Sequence, residues 1–185
     1  MAVPMMFQPL AKYADFNGRA RRSEFWLFWL FRQLVTYGLW VVVMAVVPAT
    51  TYNPQHPEAY MSTIMPLSSL INLFGLAMLI PSLAVSVRRL HDTNRSGWWL
   101  LLPAGGIVIG VIIAIALIGS NIENLKNTQD FASFMAIMGS VLLALIPMLI
   151  GSLVLFIFNL LDGTPGTNRF GPDPKSRGDN AAAVF

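Results

Sequence analysis

The residues best suited to chemistry in this sequence are arginines gathered in one short basic loop. Arg88–Ser96 holds three arginines, one histidine and one aspartate, and Trp98 and Trp99 follow closely. Long apolar stretches lie on both sides of it. A guanidinium group can hold a phosphate through two parallel hydrogen bonds, and tryptophan favours the headgroup level of a membrane. The segment therefore predicts a surface that binds an anionic lipid headgroup or a partner protein.

Two further polar segments, one near each terminus, extend this candidate surface. The full set of candidates for lipid or partner binding is Arg19, Arg21, Arg22, Glu24, Trp26, Arg88, Arg89, His91, Asp92, Arg95, Trp98, Trp99, Asn168 and Arg169. The alternative is that these residues only orient the chain in the membrane and anchor its helices. That alternative does not explain His91 and Asp92, which contribute nothing to orientation. We expect Asp92 to pair with a neighbouring arginine, and Asp92 or Asp162 to neutralise Arg22 or Arg32.

The same residues give little support to catalysis or metal binding. The chain contains no cysteine and only two histidines, His56 and His91, which are expected on opposite sides of the membrane. His91 and Asp92 are adjacent in sequence, and side chains at adjacent positions do not face each other on a helix. No set of nucleophile and base is visible in the sequence. We therefore predict no enzyme activity, no metal site and no cofactor.

Composition indicates the elements that must position these residues. Only 11% of the 185 residues are charged and 55% are hydrophobic, whereas soluble domains carry about 25% charged residues. A bilayer crossing takes roughly 20 apolar residues as a helix, and four segments are long enough: residues 25–47, 63–87, 97–119 and 131–161. The predicted fold is an all-α membrane protein with four transmembrane helices arranged as two hairpins. It forms one domain over residues 1–175, with a disordered tail at 176–185.

Basic residues predict the orientation of these helices. Lys and Arg concentrate before the first span, in Arg88–Ser96 and after the fourth span, whereas the other two loops hold only Lys126. Because short cytoplasmic loops carry the excess of Lys and Arg, both termini and Arg88–Ser96 are expected to be cytoplasmic. This distribution explains the sequence pI of 9.6 by membrane orientation, so we exclude nucleic acid as a partner.

The N-terminal residues predict a short helix before the first span. Phe7, Leu10, Ala11 and Ala14 suit one face of a helix that could lie in the membrane interface. The first apolar run begins only at Phe25 and is too long for the core of a cleavable signal peptide. The first span is therefore expected to act as an uncleaved signal anchor.

Arg32 is the one charged residue inside the predicted spans, and Asn72 and Asn159 are the main uncharged polar candidates there. Arg32 could extend to the headgroups, pair with Glu24 or Asp162, or bind a substrate or ion. The two asparagines are expected to form hydrogen bonds between helices. No Asp or Glu lies in the middle of a span, which disfavours a proton-driven transporter. The alternative function is an oligomeric channel or transporter for a small solute, because four helices in one chain make a poor pore.

Small residues and prolines should shape the helices themselves. Gly106, Gly110 and Ala114 recur every four positions and predict a face for close helix packing, either within the chain or in a homo-oligomer or membrane-protein complex. A proline removes a backbone donor and tends to kink a helix. Kinks are therefore expected inside the spans at Pro66, Pro81, Pro103 and Pro147.

The segment after the fourth span predicts an ordered turn. Gly163–Pro174 is rich in glycine and proline, which favour turns over helix. We expect this segment to fold back on Arg88–Ser96. Asn168 and Arg169 would supply polar contacts, and Phe170 would supply an apolar one.

Three of these segments also carry a family resemblance. Gly18–Trp26, Arg88–Trp99 and Gly163–Pro174, in this order and at membrane edges, resemble the bacterial inner-membrane family known as domain of unknown function 805. The resemblance runs from about Tyr13 to Pro174. It implies a small multi-pass protein of the inner (plasma) membrane, and it brings no established activity to particular residues.

Overall fold

Helices form the membrane-length apolar segments of the chain. The computed structural model describes residues 3–47, 55–120 and 131–177. A 3-10 turn at Met5–Phe7 precedes the first helix, and another at Gly97–Leu101 precedes the fourth. The helices are α1 Gln8–Ala11, α2 Arg22–Val46, α3 Pro57–Asp92, α4 Leu102–Ser120 and α5 Phe131–Leu160. The described residues contain four helices long and apolar enough to cross a membrane, and they contain no strand. The predicted all-α fold is therefore confirmed.

The helix α3 is longer than the apolar run that predicted it. It was expected at residues 63–87, but it begins at Pro57 and ends at Asp92. The prediction that Arg88–Asp92 is loop is therefore wrong, since these residues form the last turn of a helix. Cations there are favoured by the helix dipole. The helix ends where the Thr93 N–H bonds to the Leu90 carbonyl at 3.1 Å, and only residues 93–96 link it to the next element.

The N-terminal segment packs against α2 and α3. The Phe7 ring lies edge-on to Phe31 of α2, with centroids 5.3 Å apart. Leu10 packs against a buried cluster where the chain entering α2 meets α3, formed by Ala20, Phe28 and Val85. Ala11 and Ala14, predicted on the same face, are exposed. The short helix is thus present, and half of its predicted face contacts protein.

The four long helices form two hairpins, as predicted. α2 packs along α3, and α4 packs along α5. Contacts between the hairpins include the Trp26 ring edge-on to Phe156, at 5.7 Å between centroids. Arg22 also donates a hydrogen bond to the Leu160 carbonyl at 3.1 Å. Both contacts lie where α2 begins and α5 ends. We call this side of the molecule the charged end, comprising residues 12–24, 88–99 and 160–177.

Small residues allow α4 and α5 to meet backbone to backbone. A Cβ on Gly106 would lie 2.5 Å from the Pro147 carbonyl oxygen, and one on Gly110 would overlap the Ala144 carbonyl. Ala114 lines a groove beside the same contact. The predicted packing face is confirmed, and its partner is α5 of the same chain. We call Gly106, Gly110 and Ala114 the glycine seam.

The prolines occupy two kinds of position. Pro66 and Pro81 lie inside α3, and Pro147 lies inside α5. Pro103 is the second residue of α4, where N–H groups have no intrahelical partner, so the kink predicted inside the span is wrong at this position. Gly151 of α5 packs here, since its Cβ would lie 2.9 Å from the Pro103 nitrogen. Gly151 was not predicted as a packing residue because it lies outside the four-residue spacing of Gly106, Gly110 and Ala114.

Candidate functional site

Asp92 is the centre of a buried ionic network at the charged end. Arg19 donates through Nε to Asp92 Oδ1 at 3.0 Å, and Arg89 donates through Nη1 to Oδ2 at 2.5 Å. Asp92 is 1% exposed and Arg89 is 0% exposed. We call Arg19, Arg89 and Asp92 the arginine clasp. The prediction that Asp92 pairs with a neighbouring arginine is confirmed, and a second arginine joins it from before α2.

The clasp arginines also bind backbone carbonyls near the end of α5. Arg19 Nη1 donates to the Gly166 carbonyl at 2.6 Å. Arg89 Nε donates to the Asn159 carbonyl at 3.3 Å. Carbonyls in the last turn of a helix have no intrahelical donor and carry partial negative charge, so a guanidinium group is a suitable partner. The clasp therefore joins the segment before α2, the end of α3, the end of α5 and the tail.

Gly163 lets the tail approach the clasp closely. A Cβ at this position would overlap the Asp92 carboxylate. The next residue, Thr164, donates its N–H to the Asp92 carbonyl at 2.9 Å. Asp92 thus receives the tail through its backbone and the two arginines through its side chain.

A second buried ion pair lies beside the clasp. Arg88 Nη2 is 3.2 Å from Glu24 Oε1, and the two residues are 1% and 4% exposed. Within the part of the chain that the structure describes, the three guanidinium nitrogens of Arg88 have no hydrogen-bond acceptor, and Glu24 Oε1 has no donor. The Arg88 backbone carbonyl accepts the Ala20 N–H at 3.0 Å. The Arg88–Glu24 pair is therefore a contact between opposite charges that lacks the directed hydrogen bonds of the clasp.

The tail folds back on the end of α3, as predicted. Asn168 Nδ2 donates to the His91 carbonyl at 3.0 Å, and Arg169 Nη2 donates to the Asn94 carbonyl at 3.1 Å. Phe170 stacks on the His91 ring, with centroids 3.8 Å apart and planes 4° apart. The contacts expected of Asn168, Arg169 and Phe170 are confirmed. They also give His91 a structural role, as the platform on which the tail packs.

A second set of charges anchors the tail to itself. Arg177 Nε donates to Asp173 Oδ2 at 2.9 Å, and Lys175 Nζ donates to Asp162 Oδ1 at 2.7 Å. A hydrogen bond from Lys175 lowers the pKa of Asp162 to about 2. Burial alone would raise the pKa of Asp173, but hydrogen bonds from the Arg177 side chain and from two backbone N–H groups lower it to about 2.

This second anchor was not predicted from the sequence. Arg177 was expected in the disordered tail at 176–185, but Asp173 and Asp162 hold it in place. Residues 178–185 lie outside the described residues. The spacing of Asp173 and Arg177, four positions apart, was the available signal, since such pairs attract on a helix. The turn-rich composition around them hid it.

The exposed residues of the charged end are aromatic and cationic. Trp98 is 78% exposed and Trp99 is 41% exposed. The Arg95 guanidinium lies 4.0 Å from the centroid of Phe158, and Trp99 packs edge-on to the same ring at 5.2 Å. This corner between α5 and the turn before α4 is the reachable part of the predicted Arg/Trp surface.

Burial divides the residues predicted to bind lipid or a partner. Arg88 and Arg89 do not reach the surface, so their expected contact with a headgroup is replaced by contacts inside the protein. Asp92 and Arg19 are likewise occupied in the clasp. Headgroup binding stays a prediction for the members that are at least partly exposed, which are Arg21, Arg22, Trp26, His91, Arg95, Trp98, Trp99, Asn168 and Arg169.

The polar residues inside the spans differ from expectation. Arg32 Nη1 donates to Ser82 Oγ of α3 at 3.1 Å, so the predicted pairing with Glu24 or Asp162 is wrong. Glu24 instead faces Arg88. Asn159 Nδ2 donates to the Leu155 carbonyl of its own helix at 2.9 Å, and the expected hydrogen bond between helices is absent from the contacts of its described side chain.

Asn72 is exposed on α3, so its side chain faces away from the neighbouring helices with which a hydrogen bond was expected. Asp162 does neutralise Arg22, at 3.5 Å, as predicted. In residues 3–47, 55–120 and 131–177, no group of three or more His, Asp or Glu side chains could hold a metal ion.

The fold and the charged end define a class of protein: an all-helical, four-span membrane protein whose two hairpins are joined by buried arginines at one end. The chain matches the family described as protein of unknown function DUF805 over residues 13–172, and it belongs to that family. The resemblance seen in the three motifs is thereby confirmed.

Relatives in Escherichia coli strain K12 cover almost the whole chain. The chain is 32% identical to "Inner membrane protein YhaH" over 166 residues, which are 90% of this chain and 92% of the relative. It is 31% identical to "Inner membrane protein YhaI", again over 90% of this chain and 91% of the relative. It is 28% identical to "Uncharacterized protein YiiR", over 91% and 94%. No solved structure matches the chain.

Proposed function

We propose that this chain is a non-enzymatic, multi-pass protein of the bacterial inner membrane whose charged end lies in the cytoplasm and binds anionic phospholipid. The observation that carries the proposal is the surplus of reachable cations, beside exposed tryptophan, around the buried arginine clasp. The relatives named inner membrane proteins support the compartment.

Charge supports the orientation. The hairpins bring the start of α2, the end of α3 and the end of α5 to one side, together with the described segments that precede α2 and follow α5. Ten cations lie there among the described residues: Lys12, Arg19, Arg21, Arg22, Arg88, Arg89, Arg95, Arg169, Lys175 and Arg177. Five carboxylates oppose them: Asp15, Glu24, Asp92, Asp162 and Asp173. Cytoplasmic segments retain such an excess of Lys and Arg.

Some of these cations have no carboxylate partner among the described residues, which supports lipid binding. Arg22, Lys175 and Arg177 share Asp162. Arg95 and Arg169 are instead bonded to backbone carbonyls within the described part of the chain. Their charges are not neutralised locally, and an anionic leaflet attracts each such residue by about 1 kcal/mol. Trp98, beside them, suits the headgroup level.

Native mass spectrometry from nanodiscs tests this function. Full-length protein would be ejected from discs of phosphatidylglycerol and phosphatidylcholine, and retained lipids counted. We expect retention of phosphatidylglycerol over phosphatidylcholine, and a loss of about thirtyfold in that preference for R95Q/R169Q, given about 1 kcal/mol of attraction for each of the two cations. K126Q is the control, since Lys126 belongs to a loop predicted on the other side.

Two outcomes would oppose the lipid proposal. Equal retention of both lipids by the wild type would refute anionic recognition. A protein that copurifies with the wild type and is lost from R95Q/R169Q would assign the same surface to a protein partner instead.

A partly open cavity between α2 and α3 favours a second candidate function, because it brings Arg32 and two serines together. Its volume is about 70 Å³, and its lining comprises Arg32, Ser82 and Ser86 together with Phe25, Phe28, Trp29 and Val85. A charged side chain at the depth of Arg32 costs free energy, and such intramembrane charges commonly mark ion or substrate pathways. Arg32 therefore supports an oligomeric channel for a small anionic solute. Anion flux into proteoliposomes, abolished by R32L but retained by R32K, is the expected result for this candidate. Wild-type protein without flux would reject it.

A further inference from the structure

A polar pocket lies beside the arginine clasp, between the N-terminal segment, the start of α2 and the tail. Its volume is about 270 Å³. The residues that line it include Gln8, Lys12, Arg19, Arg21 and Glu24. Three of these five are cations and one is a carboxylate. The pocket is therefore set apart from the apolar grooves along α4 and α5, which are lined by aliphatic and small residues.

Ion pairing decides which of these charges remain for a ligand. Arg19 is occupied by Asp92, at 2.9 Å, and lies 3.8 Å from Asp173. Arg21 donates to the Pro174 carbonyl and, like Lys12, has no carboxylate within salt-bridge distance in the described part of the chain. The pocket thus presents two uncompensated cations, Lys12 and Arg21, and it attracts an anion.

Glu24 supplies a second and independent feature. Its side chain is 6% exposed, it lines the pocket, and its Oε1 has no hydrogen-bond donor among the described residues. Arg88, against which it lies, has three guanidinium nitrogens without acceptors in the same part of the chain. Buried charged groups without hydrogen bonds are costly, and native proteins rarely keep them. A ligand that donates a hydrogen bond to Glu24 would remove part of this cost.

The position of the pocket indicates where the ligand comes from. Met5 also lines it, and Phe7, two residues later, packs on Phe31 within the membrane-spanning helix α2. Ser23, at the start of α2, contacts the Met5 sulfur at 3.3 Å. The pocket is therefore adjacent to the end of a span, at the level where lipid headgroups lie. A lipid can reach it without leaving the bilayer.

We infer that this pocket holds a phosphodiester lipid headgroup that carries a hydroxyl donor, the chemistry of phosphatidylglycerol. Lys12 and Arg21 bind the phosphate, and Glu24 accepts the headgroup hydroxyl. The inference rests on the proposed function and gives it a specific site, whereas Arg95 and Arg169 act through general attraction to anionic lipid. The site accordingly distinguishes lipids of equal charge.

Phosphatidylethanol is the matched probe, because it has the same phosphodiester charge and lacks the headgroup hydroxyls. Full-length protein in nanodiscs with equal amounts of phosphatidylglycerol and phosphatidylethanol would be analysed by native mass spectrometry. We expect wild type to prefer phosphatidylglycerol by about tenfold, the effect of a hydrogen bond to a charged acceptor. K12Q should weaken retention of both lipids. E24Q should reduce the preference to near unity, and E58Q, the same change at an exposed glutamate, should leave it intact.

The lipid comparison on wild type decides the matter even if E24Q does not fold. Equal retention of the two anionic lipids, both above phosphatidylcholine, would overturn the pocket assignment and leave the proposed function standing. No retention of either above phosphatidylcholine would overturn both. Displacement of the lipid by soluble glycerophosphoglycerol at comparable concentration would overturn the lipid source, because acyl chains would then contribute nothing.

Discussion

The arginine clasp and the glycine seam join helices by opposite means. The clasp links the two hairpins through charges that are almost fully buried, and it draws on parts of the chain from Arg19 to Gly166. The seam links α4 to α5 within one hairpin through backbone contact at Gly106 and Gly110, with no side-chain charge involved. The contacts of the clasp between the hairpins are ionic and directed, whereas the contacts of the seam within the second hairpin are apolar and close.

The difference follows from the solvent at each level. Within the hydrocarbon, lipid is as apolar as a leucine side chain, so helices associate mainly by close packing of small residues. At the charged end, carbonyls at the end of α5 and the cations of α3 must be satisfied at the edge of the bilayer. A buried carboxylate between two arginines does this for Arg19 and Arg89 at once. Removing one charge from the clasp therefore leaves a buried charge without its partner, and this energetic cost does not arise at the seam.

The largest expected effect comes from D92N. The substitution keeps the shape of the side chain but leaves Arg89 buried without its counterion and Arg19 with only Asp173, at 3.8 Å. Removing one partner of a buried ion pair typically costs about 3–5 kcal/mol. We expect a large fall in the thermal unfolding temperature in detergent. The matched control is D162N, because the Asp162 side chain is 47% exposed and exposed pairs contribute little. Equal shifts for the two variants would show that the clasp is not what holds the hairpins together.

Sequence could predict the spans and part of the clasp. The apolar runs are long enough that only helices satisfy their backbone in lipid, and Asp92 is the only carboxylate among the arginines of its segment. The turn after α5 was also foreseeable, because glycine and proline in Gly163–Pro174 favour turns. In each case the signal is local, lying within one stretch of residues.

The burial of Arg88 and Arg89 could not be predicted from a local pattern in the sequence. Their partners are distant in sequence: Glu24 is a lone carboxylate near the first span, and the Asn159 acceptor is a backbone carbonyl, which every residue has. Arginines that follow an apolar run ordinarily extend to the headgroups, so the pattern favoured an exposed surface. The partner of Arg32 could not be predicted either. Its acceptor is the Ser82 hydroxyl, and nothing in the sequence distinguishes Ser82 from the other serines.

G110A tests the seam with a smaller expected effect. The added Cβ would overlap the Ala144 carbonyl, and overpacking of this kind costs about 1–3 kcal/mol. G105A is the control, because nothing lies within 4 Å of its Cβ position and alanine favours helix by up to about 1 kcal/mol. Thermal unfolding should therefore move down for G110A and stay level or rise for G105A. A fall of equal size in both would mean that α4 and α5 do not pack at this glycine.

The smallest effect should appear on acidification, at the tail that closes over the clasp. The pKa of Asp162 and of Asp173 is lowered from 3.8 to about 2. Such groups stabilise the folded tail above pH 3.8, and the contribution is lost as the pH falls through 2. Asp162 is half-exposed, so solvent screens most of its contribution, whereas the Asp173 side chain is fully buried and its shift corresponds to on the order of 2 kcal/mol.

The chain has no native cysteine, so a single spin label at T167C, an exposed tail position, would report release of the tail. We expect label mobility to be constant from pH 7 to about 4 and to rise between about pH 4 and pH 2, the window that the two pKa values set. D173N should make the label mobile at neutral pH and flatten the profile, while D162N should change it little. A wild-type transition near pH 6 would instead point to His91, on which Phe170 stacks, and the tail would then be held by the ring contact more than by its carboxylates.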